Sequence, residues 1–243
     1  MKLDKRLTKI TSLVKQEYQH IWDCCCDHGL LGQSLLERPV NAKVHFVDIV
    51  PNIMQQLKDK LELSFPLEPL SNDIHSNIDK AWQVHCVDVC NLPLHGLSGN
   101  HLLIIAGVGG DLMIKIINSI CQQHPDANID FLLCPVYHQY LLREQLIQLD
   151  FSLYSEALVI EKKHAYEILL VSQNANSHAK VSNVGQQMWQ CDTSQEVDVA
   201  SHYLKKTLMH YKRASLNINA NVGHIIQAYE NVLIETPRLA NSL

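Results

Sequence analysis

At 243 residues, 47% hydrophobic and 19% charged, the chain can build one sizeable α/β domain and a smaller appendage. A formal net charge of −5 argues against a broad nucleic-acid footprint, so any such surface has to be a local patch. No apolar run approaches the roughly 20 residues of a membrane span, and the eight cysteines lack the spacing of a disulfide framework or paired zinc knuckles, so a reducing, cytoplasmic location is expected.

Leu3, Leu7, Ile10 and Val14 recur at helical spacing and predict an opening amphipathic helix. Lys2, Lys5, Arg6 and Lys9 line another part of it, either as a solvated face or as a phosphate-contacting patch. A first strand is expected over residues 18–24. The chain then reads Asp23-Cys24-Cys25-Cys26-Asp27-His28-Gly29, and a helix follows over residues 30–37. A second strand covers residues 43–47 and finishes at Asp48, and Pro51 opens a helix carrying Ile53, Met54, Leu57 and Leu61. Residues 64–80 read as an irregular loop.

A third strand is expected over residues 81–87, followed by Asp88 and Val89. The fourth, residues 101–106, runs into Gly107-Val108-Gly109-Gly110 and a helix over residues 111–122. The fifth, residues 129–134, leads through Pro135 to a helix over residues 141–149. Two β-rich runs, residues 153–160 and 166–171, flank the charged turn Glu161-Lys162-Lys163-His164 and predict a hairpin. Residues 172–183 are polar and read as a linker. Thr193 with Glu196 forms a capping box, after which Val197, Ser201, Leu204, Leu208 and Tyr211 predict one helix. Ile225, Ile226, Tyr229 and Leu233 predict a second, ending before Pro237.

Alternating strands and helices with short connections predict an α/β, Rossmann-like sheet with a terminal antiparallel hairpin. Residues 1–175 make that domain, and residues 176–243 a C-terminal helical hairpin. A sheet of this kind binds its ligand at the first strand-to-helix turn. That turn has Gly29 and Gly32 but cysteines where a pyrophosphate-binding G-x-G-x-x-G would need clearance. A dinucleotide is therefore disfavoured, and S-adenosyl-L-methionine, which has no phosphate, is the expected ligand. Asp48 is placed for ribose hydroxyls and Asp88 for an adenine amino group. Either is also a plausible turn cap. Adjacent cysteines point to opposite faces of a strand and cannot readily close a tetrahedron, so no metal is expected. A nucleophilic cysteine is ranked below a packing role.

Taken together, several segments resemble the bacterial tRNA (adenine-N1)-methyltransferases that modify adenine 22 in the D arm. They are the opening helix with Lys5-Arg6, Asp23 with Asp27-His28, and the loop Ile105-Ala106-Gly107-Val108-Gly109-Gly110. Pro135 with Leu142-Arg143-Glu144, and Tyr166-Glu167-Ile168-Leu169, complete the set. The chain departs from the family at Cys25 for glycine, Cys26 for serine, Val108 for methionine, and Cys134 and Val136 for two amides. The resemblance implies a class I methyltransferase that transfers methyl to tRNA with S-adenosyl-L-methionine as donor. It implies a donor site of Asp23, Cys25, Asp27, His28, Gly29, Asp48, Asp88, Val89, Ala106 and Gly107. Asp27 and the Gly107 and Val108 carbonyls are expected at the target amine, and Lys5, Arg6, Lys9, Tyr137 and Arg143 on the RNA. A non-catalytic homologue, or an enzyme for a small-molecule or protein substrate, is the alternative. Oligomeric state is left open between monomer and weak dimer.

Overall fold

The computed structural model describes residues 3–15, 17–38, 42–66, 82–174 and 179–236. Helix α1 (Lys5–Ser12) starts where the Asp4 carboxylate accepts the N–H of Leu7 at 2.7 Å, and it buries Ile10 and Thr11. Then come β1 (His20–Cys24), α2 (Leu30–Leu36), β2 (Lys43–Asp48), α3 (Pro51–Ser64) and β3 (Trp82–Cys86). They are followed by β4 (His101–Ala106), α4 (Gly110–Gln123), β5 (Ile129–Cys134) and α5 (Gln139–Gln148). The chain closes with β6 (Ser152–Glu161), β7 (His164–Ser172), β8 (Ala179–Lys180), α6 (Ser194–Ala214) and α7 (Gly223–Glu230).

The eight strands make one sheet in the order β3-β2-β1-β4-β5-β7-β6-β8. The first five are parallel, and β7 inserts antiparallel between β5 and β6. The central strands β1, β4 and β5 are largely buried on both sides because helices cover both. Trp22, Cys24, Leu103, Ile105, Phe131 and Leu133 face one layer, with Met113 and Ile117 of α4 and Leu142 of α5. Ile21, Phe46, Leu102, Ile104 and Leu132 face the other, with Ile10, Leu35 and Leu57. Strand order reverses between β1 and β4, which opens a crevice beyond their carboxyl ends, where ligands of open α/β sheets bind.

Two expectations change. The stretch read as a linker contributes the last residue of β7 and, in β8, a short strand paired antiparallel to β6. α7 ends at Glu230, and Leu233 lies beyond it, 83% exposed, so the helical pattern does not continue through it. Most of the loop expected over residues 64–80, Ala81 and Pro237 lie outside the described residues. The capping box of α6 is present, with Thr193 Oγ1 accepting the N–H of Glu196 and Glu196 accepting that of Thr193. A third core of Tyr140, Met188, Trp189, Ala200, Tyr203, Ile225 and Tyr229 seats α6 and α7 on α5. Among the described residues no helix is long and apolar enough to cross a membrane.

Candidate functional site

The turn after β1 is tightly wound. Cys25, Asp27 and Gly29 have φ of 55°, 50° and 66°, all in the left-handed region that side chains disfavour. The winding is held by backbone bonds: Cys26 N–H to the Val47 carbonyl at 3.1 Å, and Gly29 N–H to the Cys26 carbonyl at 2.8 Å. Gly29 meets two demands, its positive φ and its neighbours, since a Cβ there would lie 2.8 Å from Leu57. Buried Asp23 accepts the Gly32 N–H at 2.8 Å. Burial lifts its carboxyl to about 7 against the pull of that bond. Asp23 thus shapes the turn from beneath, and Asp27 and His28 are its exposed members, their side chains 3.7 Å apart.

Asp48, at the end of β2, ties the turn to its neighbours. Its Oδ2 accepts the Asp27 N–H at 3.1 Å, and its Oδ1 accepts those of Ile49 at 2.7 Å and Val50 at 3.2 Å. A carboxylate offers about four acceptor positions, so Asp48 retains capacity at Oδ2. Asp88 follows β3, and its Oδ1 accepts the Cys90 N–H at 2.9 Å. Both expected cap roles are therefore real, and neither uses up the carboxylate. Val89 packs its side chain into the core, so any ligand contact it makes is through its backbone. Burial, then the charges of Asp48, Asp23 and Asp88, push the Cys25 thiol up to about 11. That leaves its sulfur a poor nucleophile.

The loops after β4 and β5 interlock. Val136 donates to the Val108 carbonyl at 3.0 Å, and Gly110 to the Tyr137 carbonyl at 2.9 Å. The bond from Val136 engages the Val108 carbonyl, while Gly107 is exposed on the crevice side with Ala106 half-buried before it. Gly109 and Gly110 are seats: a Cβ on the first would lie 2.3 Å from the Tyr137 ring, and on the second 2.5 Å from the His138 carbonyl. Tyr137, 53% exposed, lies over Gly109 and presents an aromatic face at the edge of the sheet. His138, which has positive φ, turns its Nδ1 to the Asp111 carboxylate in the first turn of α4.

The expected RNA contacts separate. Arg6 reaches the crevice: its guanidinium lies 5.2 Å above the Tyr166 ring, and its Nη1 would be 3.8 Å from a Cβ on Gly107. Lys5 is exposed, and its N–H donates to Glu161 at 2.8 Å. Lys9 lines a groove of about 720 Å³ between β6 and the start of α6, with Thr193 and Glu196. Arg143 is corrected outright. Its side chain is fully buried, paired with Glu156 and Glu167, and touches no RNA.

Sequence reading missed Gln33, whose buried amide donates to the His28 carbonyl at 2.8 Å and the Gly29 carbonyl at 3.0 Å. An amide inside the apolar run Leu30-Leu31-Gly32-Gln33-Ser34-Leu35-Leu36 was its signal. It also missed the His138–Asp111 pair, which only the docking of α4 on α5 creates. Among the described residues no three His, Cys, Asp or Glu side chains gather closely enough to hold a metal ion.

Residues 3–169 match a family model described as a methyltransferase domain. No curated protein matches the sequence. Several solved structures resemble the whole chain. TrmK of M. capricolum, solved with S-adenosyl-homocysteine, is 16% identical with a TM-score of 0.65, covering 94% of this chain and 93% of its own. Sp1610 of Streptococcus pneumoniae, solved with S-adenosyl-L-methionine, is 20% identical with a TM-score of 0.63, covering 94% and 98%. The M1A22 tRNA methyltransferase TrmK of B. subtilis is 17% identical with a TM-score of 0.57, covering 94% of each chain.

Proposed function

The chain belongs to the methyltransferase-domain family, and from that premise we propose that it transfers a methyl group from S-adenosyl-L-methionine to N1 of adenine 22 in tRNA. The observation that carries this reading is the tie between the first turn and the second strand end, where Asp48 accepts the Asp27 N–H at 3.1 Å beside the point at which strand order reverses between β1 and β4. The likeness to the M1A22 tRNA methyltransferase of B. subtilis over 94% of this chain supports the substrate.

The residues fit the donor. Asp48 keeps an acceptor position for ribose hydroxyls, Asp88 stands at the next strand end, and Asp27, His28 and Gly29 form the rim. Cys25, the Val89 backbone, Ala106 and Gly107 complete the pocket, with Asp23 supporting the turn. When bound, the donor supplies an electrophilic methyl on a sulfonium. Adenine N1 needs no deprotonation, so the protein's work is positioning and electrostatics on a base freed from its stack. Tyr137 offers that base a face. Asp27 and the Gly107 carbonyl accept from its exocyclic amine as positive charge develops, while the Val108 carbonyl, bonded to Val136, fixes the loop's shape. Arg6 stands by the Gly107 loop and Lys5 and Lys9 lie farther out, as contacts for RNA phosphates. We assign residues 1–175 to donor binding and catalysis and residues 176–243 to a helical unit that helps hold the RNA, and we place the protein in the cytoplasm.

Tritium transfer from labelled donor to unmodified bulk tRNA tests the reading, with the label mapped to N1 of adenine 22. Donor bound without label in tRNA would overturn it in favour of a non-catalytic homologue or another acceptor.

Calorimetry with S-adenosyl-homocysteine tests the pocket. Asp48→Ala removes a charged acceptor and should weaken binding by about ten- to a hundredfold. Cys25→Gly should bind as well or better. It relieves a left-handed φ worth ~1–2 kcal/mol against the loss of a half-buried thiol worth ~1 kcal/mol, leaving stability nearly unchanged. A large loss of affinity in Cys25→Gly would mean that the sulfur contacts the ligand.

A further inference from the structure

Arg143, Glu156, Glu167 and Tyr203 form a buried cluster that neither the donor pocket nor the target edge uses. The side chains of Arg143, Glu156 and Glu167 are fully buried, and Tyr203 is nearly so. Each comes from a different element: Arg143 from α5, Glu156 from β6, Glu167 from β7 and Tyr203 from α6. Arg143 Nε donates to Glu167 Oε2 at 2.7 Å, Nη2 to Glu156 Oε2 at 2.8 Å, and Nη1 to the Ser182 carbonyl at 3.0 Å. The second oxygen of Glu156 accepts the N–H groups of Gln186, of Gln187 at 2.7 Å and of Met188 at 3.4 Å, in the turn that leads to α6. The second oxygen of Glu167 accepts the Tyr203 hydroxyl.

Two carboxylates and a guanidinium are expensive to desolvate, and an apolar filling of equal volume often stabilises as well. An ionic cluster does what apolar packing does not: its bonds are directional and hold one relative placement. Here every bond runs between the sheet or α5 and the C-terminal segment, or braces a group that makes such a bond. The anchor also shares a helix with the catalytic edge, since α5 follows directly on Tyr137 and His138.

We propose that Arg143 is a positioning residue: with Glu156, Glu167 and Tyr203 it fixes α6, and so the helical hairpin, against the loop of residues 134–138, keeping RNA held by the hairpin in register with the target edge. This rests on the tRNA reading above for its last step only.

The test uses full-length Tyr203→Phe, which loses one hydroxyl, and Arg143→Lys, which keeps the charge but not the fork. In both, amide exchange across residues 186–204 should quicken, and KM for tRNA should rise about tenfold, the weight of one hydrogen bond to a charged group. Affinity for S-adenosyl-homocysteine should stay within about twofold and kcat within about threefold. A lower melting temperature with unchanged KM and unchanged local exchange would reduce the cluster to general stability and overturn the proposal. So would loss of homocysteine-product affinity, which would place the cluster in the donor site. If the wild type methylates no tRNA, the tRNA reading fails. Amide exchange then still decides the mechanical half: uniform exchange across the hairpin in Tyr203→Phe would sink the lock, and selective quickening would sustain it.

Discussion

Gly110→Ala is expected to cost ~2 kcal/mol or more of stability and to slow methyl transfer by about a hundredfold. The added Cβ would lie 2.5 Å from the His138 carbonyl oxygen and 3.1 Å from its carbon. Both are backbone atoms at the start of α5, and Gly110 itself is buried at the start of α4. Neither can swing aside, so α4 and α5 have to part, and the loops bearing Gly107 and Tyr137 move with them. A displacement of that size at the target edge is costly because catalysis by positioning tolerates little error. Gly109→Ala makes a nearer clash, 2.3 Å, but with the ring of a half-exposed tyrosine that can rotate out. It should lower activity through loss of the aromatic surface while sparing the fold. Gly223 begins α7 with nothing near its Cβ position, and alanine there should stabilise by ~0.4–1 kcal/mol. Urea unfolding and single-turnover methyl transfer on the three variants check the ordering. A Gly110→Ala protein with normal stability and rate would mean that the two loops do not dock as described.

The parts of the fold legible in the sequence were those written in local pattern. Residues 102–106 and 131–134 are unbroken apolar runs because both faces of a central parallel strand are buried, and the strands over residues 101–106 and 129–134 fall where they were expected. Asp48 and Asp88 could be located because each stands at the end of an expected strand. Contacts that depend on topology were not legible. Arg143 reads as a free cation, since its partners lie 13 and 24 residues away on strands whose pairing order the sequence does not state. Arg6 and Lys9 sit three apart on one helix, yet α1 crosses the sheet at an angle that sends Arg6 to Gly107 and Lys9 toward Glu196. β8 is two residues long, too short to carry any alternation. At the candidate site, the sequence marked the turn and ranked a packing role for its cysteines above a nucleophilic one. Three adjacent thiols suggest chemistry, whereas burial keeps Cys25 protonated and the left-handed φ at that position explains why glycine would serve there equally well.

Acidification from pH 7 to pH 5 should destabilise the protein by only ~1–2 kcal/mol, and Asp23→Asn should enlarge that loss to ~4 kcal/mol. Four histidines crowd the strands away from the site. His20 Nδ1 and His45 Nε2 are 3.0 Å apart, His45 Nδ1 and His85 Nε2 2.9 Å, and Trp22 donates to His101 at 3.2 Å while stacking on His45 at 3.8 Å. Burial, then the neighbouring imidazoles, lowers His45 to about 2, and burial with His20 lowers His101 to about 4, from an ordinary 6.5. Below pH 6.5 the unfolded chain therefore binds two protons at these sites that the folded chain refuses; burial also lowers His85 and His124 and raises Asp130, which act in opposite directions. At pH 5 each histidine has cost ~2 kcal/mol relative to pH 7. Asp23 works the other way. Its folded value of about 7 lies above its ordinary 3.8, so between those limits the folded state holds the extra proton, and stability from this group grows by ~2 kcal/mol as pH falls to 5. The two histidines together outweigh the one carboxyl, which sets the sign of the net change, and their near balance sets its small size. Asparagine at position 23 still offers an oxygen to the Gly32 N–H but does not titrate, so the histidine loss should appear undiminished. Urea denaturation of both proteins at the two pH values measures this directly. Equal pH dependence in wild type and Asp23→Asn would show that Asp23 stays ionised in the fold and that the turn beneath the donor pocket carries a buried charge at neutral pH.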